Sequence, residues 1–96
     1  MALRLDWTDE ANSDLDDIIT YLEEEWEEEQ IHHFFTRLEE CLDHITSAPQ
    51  RSKNSLRKEG TKEYQHSPQT TIFYSFDDHA VHILRLWTNF KDPNEL

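Results

Sequence analysis

The sequence has little glycine, proline or cysteine, and it has no long hydrophobic run. Gly60 is the only glycine in 96 residues, and there are three prolines. This scarcity favours long helices and strands over a fold rich in loops. The single cysteine, Cys41, excludes an internal disulfide and indicates a reducing compartment. No stretch approaches the roughly 20 apolar residues that span a bilayer, and residues 1–6 lack the apolar run of a signal peptide. We therefore predict a cytoplasmic protein with no membrane partner.

Basic side chains are also scarce, and the shortage is confined to the first half of the chain. The formal net charge is −12. Residues 1–48 carry two basic and fifteen acidic side chains, whereas residues 49–96 carry seven basic and six acidic ones. An excess of negative charge repels the phosphates of nucleic acids at long range. Any anion-binding site must therefore be local, and we expect it in the second half.

The residues that are present fit one small folded domain. Aromatic residues make up 11% of the chain, and disordered chains are poor in aromatics, so we interpret the chain as folded. A length of 96 residues leaves room for a single domain, residues 1–96, with a real but thin core.

Two apolar stripes at helical spacing predict two helices in the first half. Residues 3–7 alternate as a half-buried strand does, and Thr8 then suits the N-cap of a helix over about residues 9–26. A second stripe predicts a helix over about residues 29–47, which Pro49 ends. The break between the two stripes is weakly signalled, so a helical hairpin and a single bent helix both stay open.

The second half alternates turns with β-branched and aromatic segments. Residues 50–60 are interpreted as a linker that runs into an irregular strand, and residues 61–66 as a weak strand. Residues 70–76 and 80–87 are predicted as strong strands joined by a hairpin turn. The order is therefore β-α-α-β-β-β. It predicts an α+β domain in which a helical hairpin packs on one face of an antiparallel sheet.

One core is expected between the helical hairpin and the sheet, and the other face of the sheet is expected to be a groove or an interface. Both faces of the strong strands are apolar, and a fully wet apolar face is unusual in a monomer. The predicted core members from the two helices and the two strong strands are Ile18, Leu22, Leu38, Leu42, Phe73 and Leu84.

Four segments follow one another in an order that is typical of a known family. The chain opens with Leu5-Asp6-Trp7-Thr8 and continues through Ile18-Ile19-Thr20-Tyr21-Leu22 to Trp26. Later it carries Ile72-Phe73-Tyr74-Ser75-Phe76-Asp77-Asp78 and then Val81-His82-Ile83-Leu84-Arg85-Leu86-Trp87-Thr88-Asn89-Phe90-Lys91-Asp92-Pro93. In this order and spacing, residues 3–93 resemble the RelE/ParE superfamily of toxins from type II toxin–antitoxin, or plasmid stabilisation, modules.

The resemblance implies a toxin that a cognate antitoxin neutralises, but the chain departs from the motif where RNA-cleaving members carry charge. Such toxins often have a histidine where this chain has Thr88, and two arginines where it has Phe90 and Lys91. Acid–base catalysis needs a group that titrates near neutrality, and threonine does not. The ParE branch resembles the RNA-cleaving branch in fold, poisons DNA gyrase and needs no catalytic residues, so it fits this chain better.

Two other functions remain open beside the ParE-like one. The first is a RelE-like ribosome-dependent mRNA endoribonuclease, in which Arg85, Lys91 and Arg57 would hold phosphates and the ribosome and mRNA would be partners. The second is a binding module of the same fold that has lost toxicity. A second copy of the chain is a further candidate partner.

Arg85 lies between Leu84 and Leu86 in a predicted strand, and two interpretations stay open for it. As a binding residue it would project into the groove and take a carboxylate or a phosphate, for which its planar fork is suited. As a structural residue it would pair with an acid such as Asp6 or Asp77.

Basic side chains crowd into residues 51–62, where Glu59 interrupts them and Glu63 follows them. They could bind an acidic antitoxin segment or a nucleic-acid backbone, or they could line a solvated linker. The candidate partner-binding residues are this cluster and the charged or aromatic side chains around the last motif: Arg51, Lys53, Arg57, Lys58, Lys62, Arg85, Trp87, Phe90 and Lys91.

No metal or cofactor is expected. His32 and His33 are adjacent on a predicted helix and point apart, and His79 and His82 fall on opposite faces of a strand, which is a poor arrangement for metal ligands. Cys41 lies on an apolar stripe and is expected in the core.

Overall fold

A computed structural model describes residues 3–55 and 60–88. The chain runs through β1 (Arg4–Trp7), α1 (Asp9–Glu25), α2 (Glu28–Ser47), a single 3-10 turn (Pro49–Arg51), β2 (Lys53–Asn54), β3 (Lys62–Ser67), β4 (Thr70–Phe76) and β5 (Ala80–Thr88). The two helices pack on a five-stranded sheet of order β1-β5-β4-β3-β2, so the α+β fold with a helical hairpin on a sheet is confirmed. Among the described residues no helix combines the length and the apolar character that crossing a bilayer requires.

The sheet is mixed, whereas the sequence led us to expect an antiparallel one. β1 pairs with β5 in parallel, and the other neighbours are antiparallel. Turn signals identify strands that are joined by hairpins, as β3, β4 and β5 are. They say nothing about a strand that pairs across the whole chain, so the direction of β1 was not accessible from the sequence.

The first two elements are helices because each has a well-formed start. The Thr8 hydroxyl accepts a hydrogen bond from the Ala11 amide at 3.0 Å, and acidic side chains follow in the first turn of α1, where the helix dipole favours them. α1 ends at Glu25, and the Glu27 amide donates to the Gln30 side chain at 3.0 Å as α2 begins. The single bent helix is therefore wrong, and the hairpin is confirmed.

The core lies between the hairpin and one face of the sheet. Ile18, Leu22 and Leu38 belong to it as predicted, and the predicted core cysteine is fully buried. The buried cluster consists of Ala11, Ile18, Leu22, Phe34, Leu38, Cys41, Ile45, Ile72, Tyr74, Val81, Ile83 and Leu86. The hydroxyl of the buried Tyr74 donates to the Pro49 carbonyl at 2.6 Å, so its polar atom keeps a partner.

Two predicted core residues, Phe73 and Leu84, lie outside this cluster, and Leu42 only packs against it, half-buried. Phe73 alternates with the buried residues of β4, so it points to the other face. Along β5 the register shifts: Phe73 opposes Arg85, but Tyr74 opposes Ile83. Leu84 is the extra residue of this bulge, and beyond it the buried face moves from odd to even positions.

Candidate partner-binding site

Arg85 leaves β5 and binds a carboxylate of α1. Its Nε and Nη2 donate to the two oxygens of Asp14 at 2.7 and 3.0 Å, and Nη1 lies 3.7 Å from Glu10. The hydrogen bonds to Asp14 raise the pKa of Arg85 above its ordinary value. The expected acidic partners, Asp6 and Asp77, are wrong, because α1 starts beside β5 and brings its own carboxylate to the guanidinium. The charge of Arg85 is thus compensated within the chain.

The same carboxylate closes the edge of the sheet. β1 ends at Trp7, opposite Ile83, and the backbone of β5 continues beyond it. There the Thr8 hydroxyl donates to the Leu84 carbonyl at 3.0 Å, and the Leu86 amide donates to Asp14 Oδ2 at 3.0 Å. The N-cap and first turns of α1 therefore supply a donor and an acceptor to a part of β5 that no described strand covers on this side.

The end of β5 carries the other described residues of the last sequence motif. Trp87 is half-buried opposite Thr71. Thr88, the last residue of β5, accepts a hydrogen bond from the Thr70 hydroxyl at 3.4 Å. The predicted site residues Phe90 and Lys91 lie outside the described residues, as do Arg57 and Lys58.

Three members of the basic cluster lie together at the opposite edge of the sheet. Lys62 Nζ donates to the Ser52 carbonyl at 2.9 Å and to Asn54 Oδ1 at 3.0 Å, which ties β2 to β3. Lys53 Nζ pairs with Glu63 at 3.2 Å, and its side chain is 77% exposed. Arg51 is exposed at the end of the 3-10 turn. The interpretation of residues 50–60 as a linker is thus only partly right, because Lys53–Asn54 form an edge strand.

An open cleft of about 400 Å³ lies beside these cations, between the end of α2, the 3-10 turn and β3. The rings of His44 and Tyr64 are nearly parallel, at 18°, with centroids 6.4 Å apart, and Tyr64 also packs against the core. This volume is within the range of ligand pockets, about 300–1,000 Å³. We call it the α2–β3 cleft; its lining residues are His44, Ser47, Ala48, Arg51, Ser52, Lys53, Glu63, Tyr64 and Gln65.

Two histidines have environments of opposite kind. His66 is buried, its Nε2 lies 3.0 Å from the Phe34 carbonyl, and burial lowers its pKa. His82 is half-buried, with Nε2 3.1 Å from Asp77 and Nδ1 3.6 Å from Asp6. The pKa of Asp77 is lowered to about 2, first by the hydrogen bond from the His79 amide and then by those from the His82 side chain and the Ala80 amide.

Within residues 3–55 and 60–88, no group of three His, Cys, Asp or Glu is placed to hold a metal ion.

Sequence reasoning missed three residues of these two edges: Asp14, His44 and Tyr64. Asp14 was one of many acids on the polar side of a helical stripe, and no local signal distinguishes it. His44 and Tyr64 come from a helix end and a weak strand that only the fold brings together. Basic side chains are favoured in the last turn of a helix, and that preference alone could have drawn attention to His44.

Comparison with known proteins gives the family. The model of the ParE toxin of the type II toxin–antitoxin system, parDE, matches residues 5–92. No match was found among curated proteins.

Solved structures share the fold at low sequence identity. A chain of the chromosomal ParDE system from P. aeruginosa aligns with a TM-score of 0.74 and 18% identity, over 91% of this chain and 96% of that one. A chain of the E. coli DinJ–YafQ toxin–antitoxin complex aligns with a TM-score of 0.60 and 8% identity, over 93% and 94%. A conserved hypothetical protein from Helicobacter pylori aligns with a TM-score of 0.58 and 15% identity, over 90% and 93%. Because the family match spans most of the sequence, the chain belongs to the ParE toxin family of type II toxin–antitoxin systems.

Proposed function

We propose that this toxin acts by binding a protein target, DNA gyrase, and that it does not cleave RNA. The observation that carries the proposal is the bond between Arg85 and Asp14. A guanidinium whose Nε and Nη2 already donate to a carboxylate must break that pair before it can hold a phosphate. Arg85 is the described cation that the RNA-cleaving alternative needs most, so its engagement favours the non-catalytic function.

The other described cations support the same proposal. A ribonuclease of this size must neutralise several phosphates at once, and every such contact needs an available cation. Here Arg4 pairs with Asp6, Lys53 pairs with Glu63, and the Arg37 Nε donates to the His66 carbonyl at 3.0 Å. Lys62 is bonded within its own edge of the sheet, as described above. Among the described lysines and arginines, Arg51 alone is without such a bond.

A cognate antitoxin is the second proposed partner. The likeness to chains of the ParDE system and of the DinJ–YafQ complex supports it, because both are toxin–antitoxin systems. We propose that the antitoxin covers the apolar outer face of the sheet near Trp87 and reaches the basic edge at Arg51, Lys53 and Lys62. Arg57, Lys58, Phe90 and Lys91 stay proposed contacts that lie outside the described residues.

The test compares two targets with one preparation of the protein. Purified toxin is added to gyrase with relaxed plasmid and ATP, and in parallel to programmed ribosomes with a labelled transcript. We expect supercoiling to be inhibited and the transcript to stay intact. Cut transcripts with unaffected gyrase would replace the proposal by the RelE-like endoribonuclease, and no effect in either assay would leave a non-toxic binding module.

The variant Arg85→Ala sharpens this test. If Arg85 binds phosphate for cleavage, the unchanged toxin cuts the transcript without inhibiting gyrase, and the variant loses the cleavage. If Arg85 is structural, as we propose, gyrase inhibition persists at any temperature at which the variant is folded, although its melting temperature falls. Arg4→Ala removes an exposed cation elsewhere and serves as the matched control.

A further inference from the structure

The α2–β3 cleft combines features that recognition sites share. One wall is a fixed aromatic surface, because Tyr64 packs against the core and His44 lies nearly parallel to it. Two exposed cations, Arg51 and Lys53, stand on the rim. Binding energy at protein interfaces concentrates where aromatic and arginine side chains frame a pocket. The cleft therefore has the composition of an anchor site for a partner side chain.

Charge limits what can enter. The only acid of the cleft, Glu63, is already paired with Lys53, so the charge of Arg51 is left uncompensated by described residues. Just outside, Glu40 and Asp43 line a smaller hollow that shares His44 and Ser47 with the cleft. One negative group fits beside Arg51, whereas a chain of phosphates would run past these acids and against a net charge of −12.

We propose that the α2–β3 cleft receives a segment of the antitoxin that carries a single carboxylate. This carboxylate lies on Arg51, and an apolar or aromatic side chain next to it packs on the rings of His44 and Tyr64. The proposal rests on the proposed antitoxin partner and adds the chemistry of one of its anchors.

The experiment measures the Kd between the purified toxin and the separately purified antitoxin that is encoded beside it. Arg51→Glu is compared with Arg4→Glu, which makes the same change in net charge at an exposed arginine of β1, far along the sheet from β2. We expect Arg51→Glu to raise Kd at least tenfold and to flatten its dependence on salt, while Arg4→Glu changes Kd less than threefold. Thermal melts of both free variants show that they are folded.

A second pair of variants tests the aromatic wall and the charge contact directly. His44→Ala, on an exposed face of α2, is expected to raise Kd several-fold without changing the salt dependence. In the Arg51→Glu background, changing one antitoxin carboxylate to lysine is expected to restore most of the lost affinity. An equal loss for Arg4→Glu and Arg51→Glu, or no carboxylate that restores binding, would overturn the anchor while the complex still forms.

Failure of the proposed function looks different. If the neighbouring gene product does not bind the unchanged toxin at all, the antitoxin assignment fails before any variant is measured, and with it the anchor. If the unchanged toxin instead binds a short single-stranded RNA in the same cleft, with Arg51→Glu abolishing that binding, the cleft is a nucleic-acid site and the antitoxin anchor is wrong.

Discussion

The two edges of the sheet are finished in different ways. At the β1–β5 edge, the start of α1 bonds to the backbone of β5, and Asp14 forms an ion pair with Arg85. The Asp14 side chain is only 15% exposed. At the β2–β3 edge, the two-residue strand β2 pairs with β3, the Lys62 ammonium bonds to Ser52 and Asn54, and an open cleft lies beside Arg51. At the first edge Arg85 is paired with a carboxylate of the same chain, whereas at the second edge the charge of Arg51 is available to a partner. Stability and binding should therefore respond to different substitutions.

The largest loss should come from the core that both edges share. Leu38→Ala removes a side chain that is 5% exposed between the helices and the sheet, and it should lower the free energy of unfolding by about 2–5 kcal/mol. Phe73→Ala is the matched control, because Phe73 points away from the core and should cost clearly less. Urea unfolding of both variants measures the difference. Equal losses would mean that the outer face of the sheet is as tightly packed as the core.

A smaller loss is expected at the closed edge. Asp14→Ala leaves the Arg85 guanidinium and the Leu86 amide without their acceptor, and hydrogen bonds to charged groups are worth about 1.5–3 kcal/mol. Because the Arg85 side chain is 44% exposed, water replaces part of the bond, and we expect a loss nearer about 1–2 kcal/mol. Chemical denaturation of the variant checks this value.

The open edge supplies the comparison for this loss. Lys62→Met removes the ammonium group that bonds to Ser52 and Asn54 and keeps most of the side-chain length, and it should cost less than about 1 kcal/mol. Asp14→Asn retains one acceptor for the Leu86 amide and should fall between Asp14→Ala and the parent. If Lys62→Met is the more damaging change, the contrast between the edges is reversed.

The smallest effect is a dependence on pH that arises beside β3. Burial lowers the pKa of His66 below its ordinary 6.5, and the positive charge of Arg37 lowers it further. The unfolded chain therefore binds a proton first, so the contribution of His66 to stability is complete above pH 6.5 and is lost as the pH falls below it. His66→Gln should reduce the slope of stability against pH between about 7.5 and 5, which urea unfolding of the variant and the parent over this range measures.

The sequence was informative where structure is local. Thr8, the two apolar stripes and the turn around Asp77 and Asp78 predicted the helical hairpin and the β4–β5 hairpin almost to the residue, because caps and turns depend on neighbouring residues. The family motif also predicted which segments would be strands.

What the sequence did not reveal depends on contacts between distant residues. The parallel pairing of β1, the extra residue Leu84 and the bond from Arg85 to Asp14 all involve a choice among partners that are equally acceptable locally. Asp6 and Asp77 were as plausible acids for Arg85 as Asp14, and only the position of α1 next to β5 decides among them. The cleft is a further case, since helix end, turn and strand each contribute part of its wall.

The pairing of Arg4 with Ala80 also bears on how the toxin is made. On a ribosome, β1 emerges before the two helices and the other described strands, whereas β5, the strand with which it pairs, emerges after them. The two helices can form as soon as they emerge, since their hydrogen bonds are local, but their apolar faces stay uncovered until β4 and β5 arrive. Contacts of such long sequence separation close slowly. During synthesis, therefore, a nascent toxin exposes the helix faces that later form its core, and the first strand is the last to find its place.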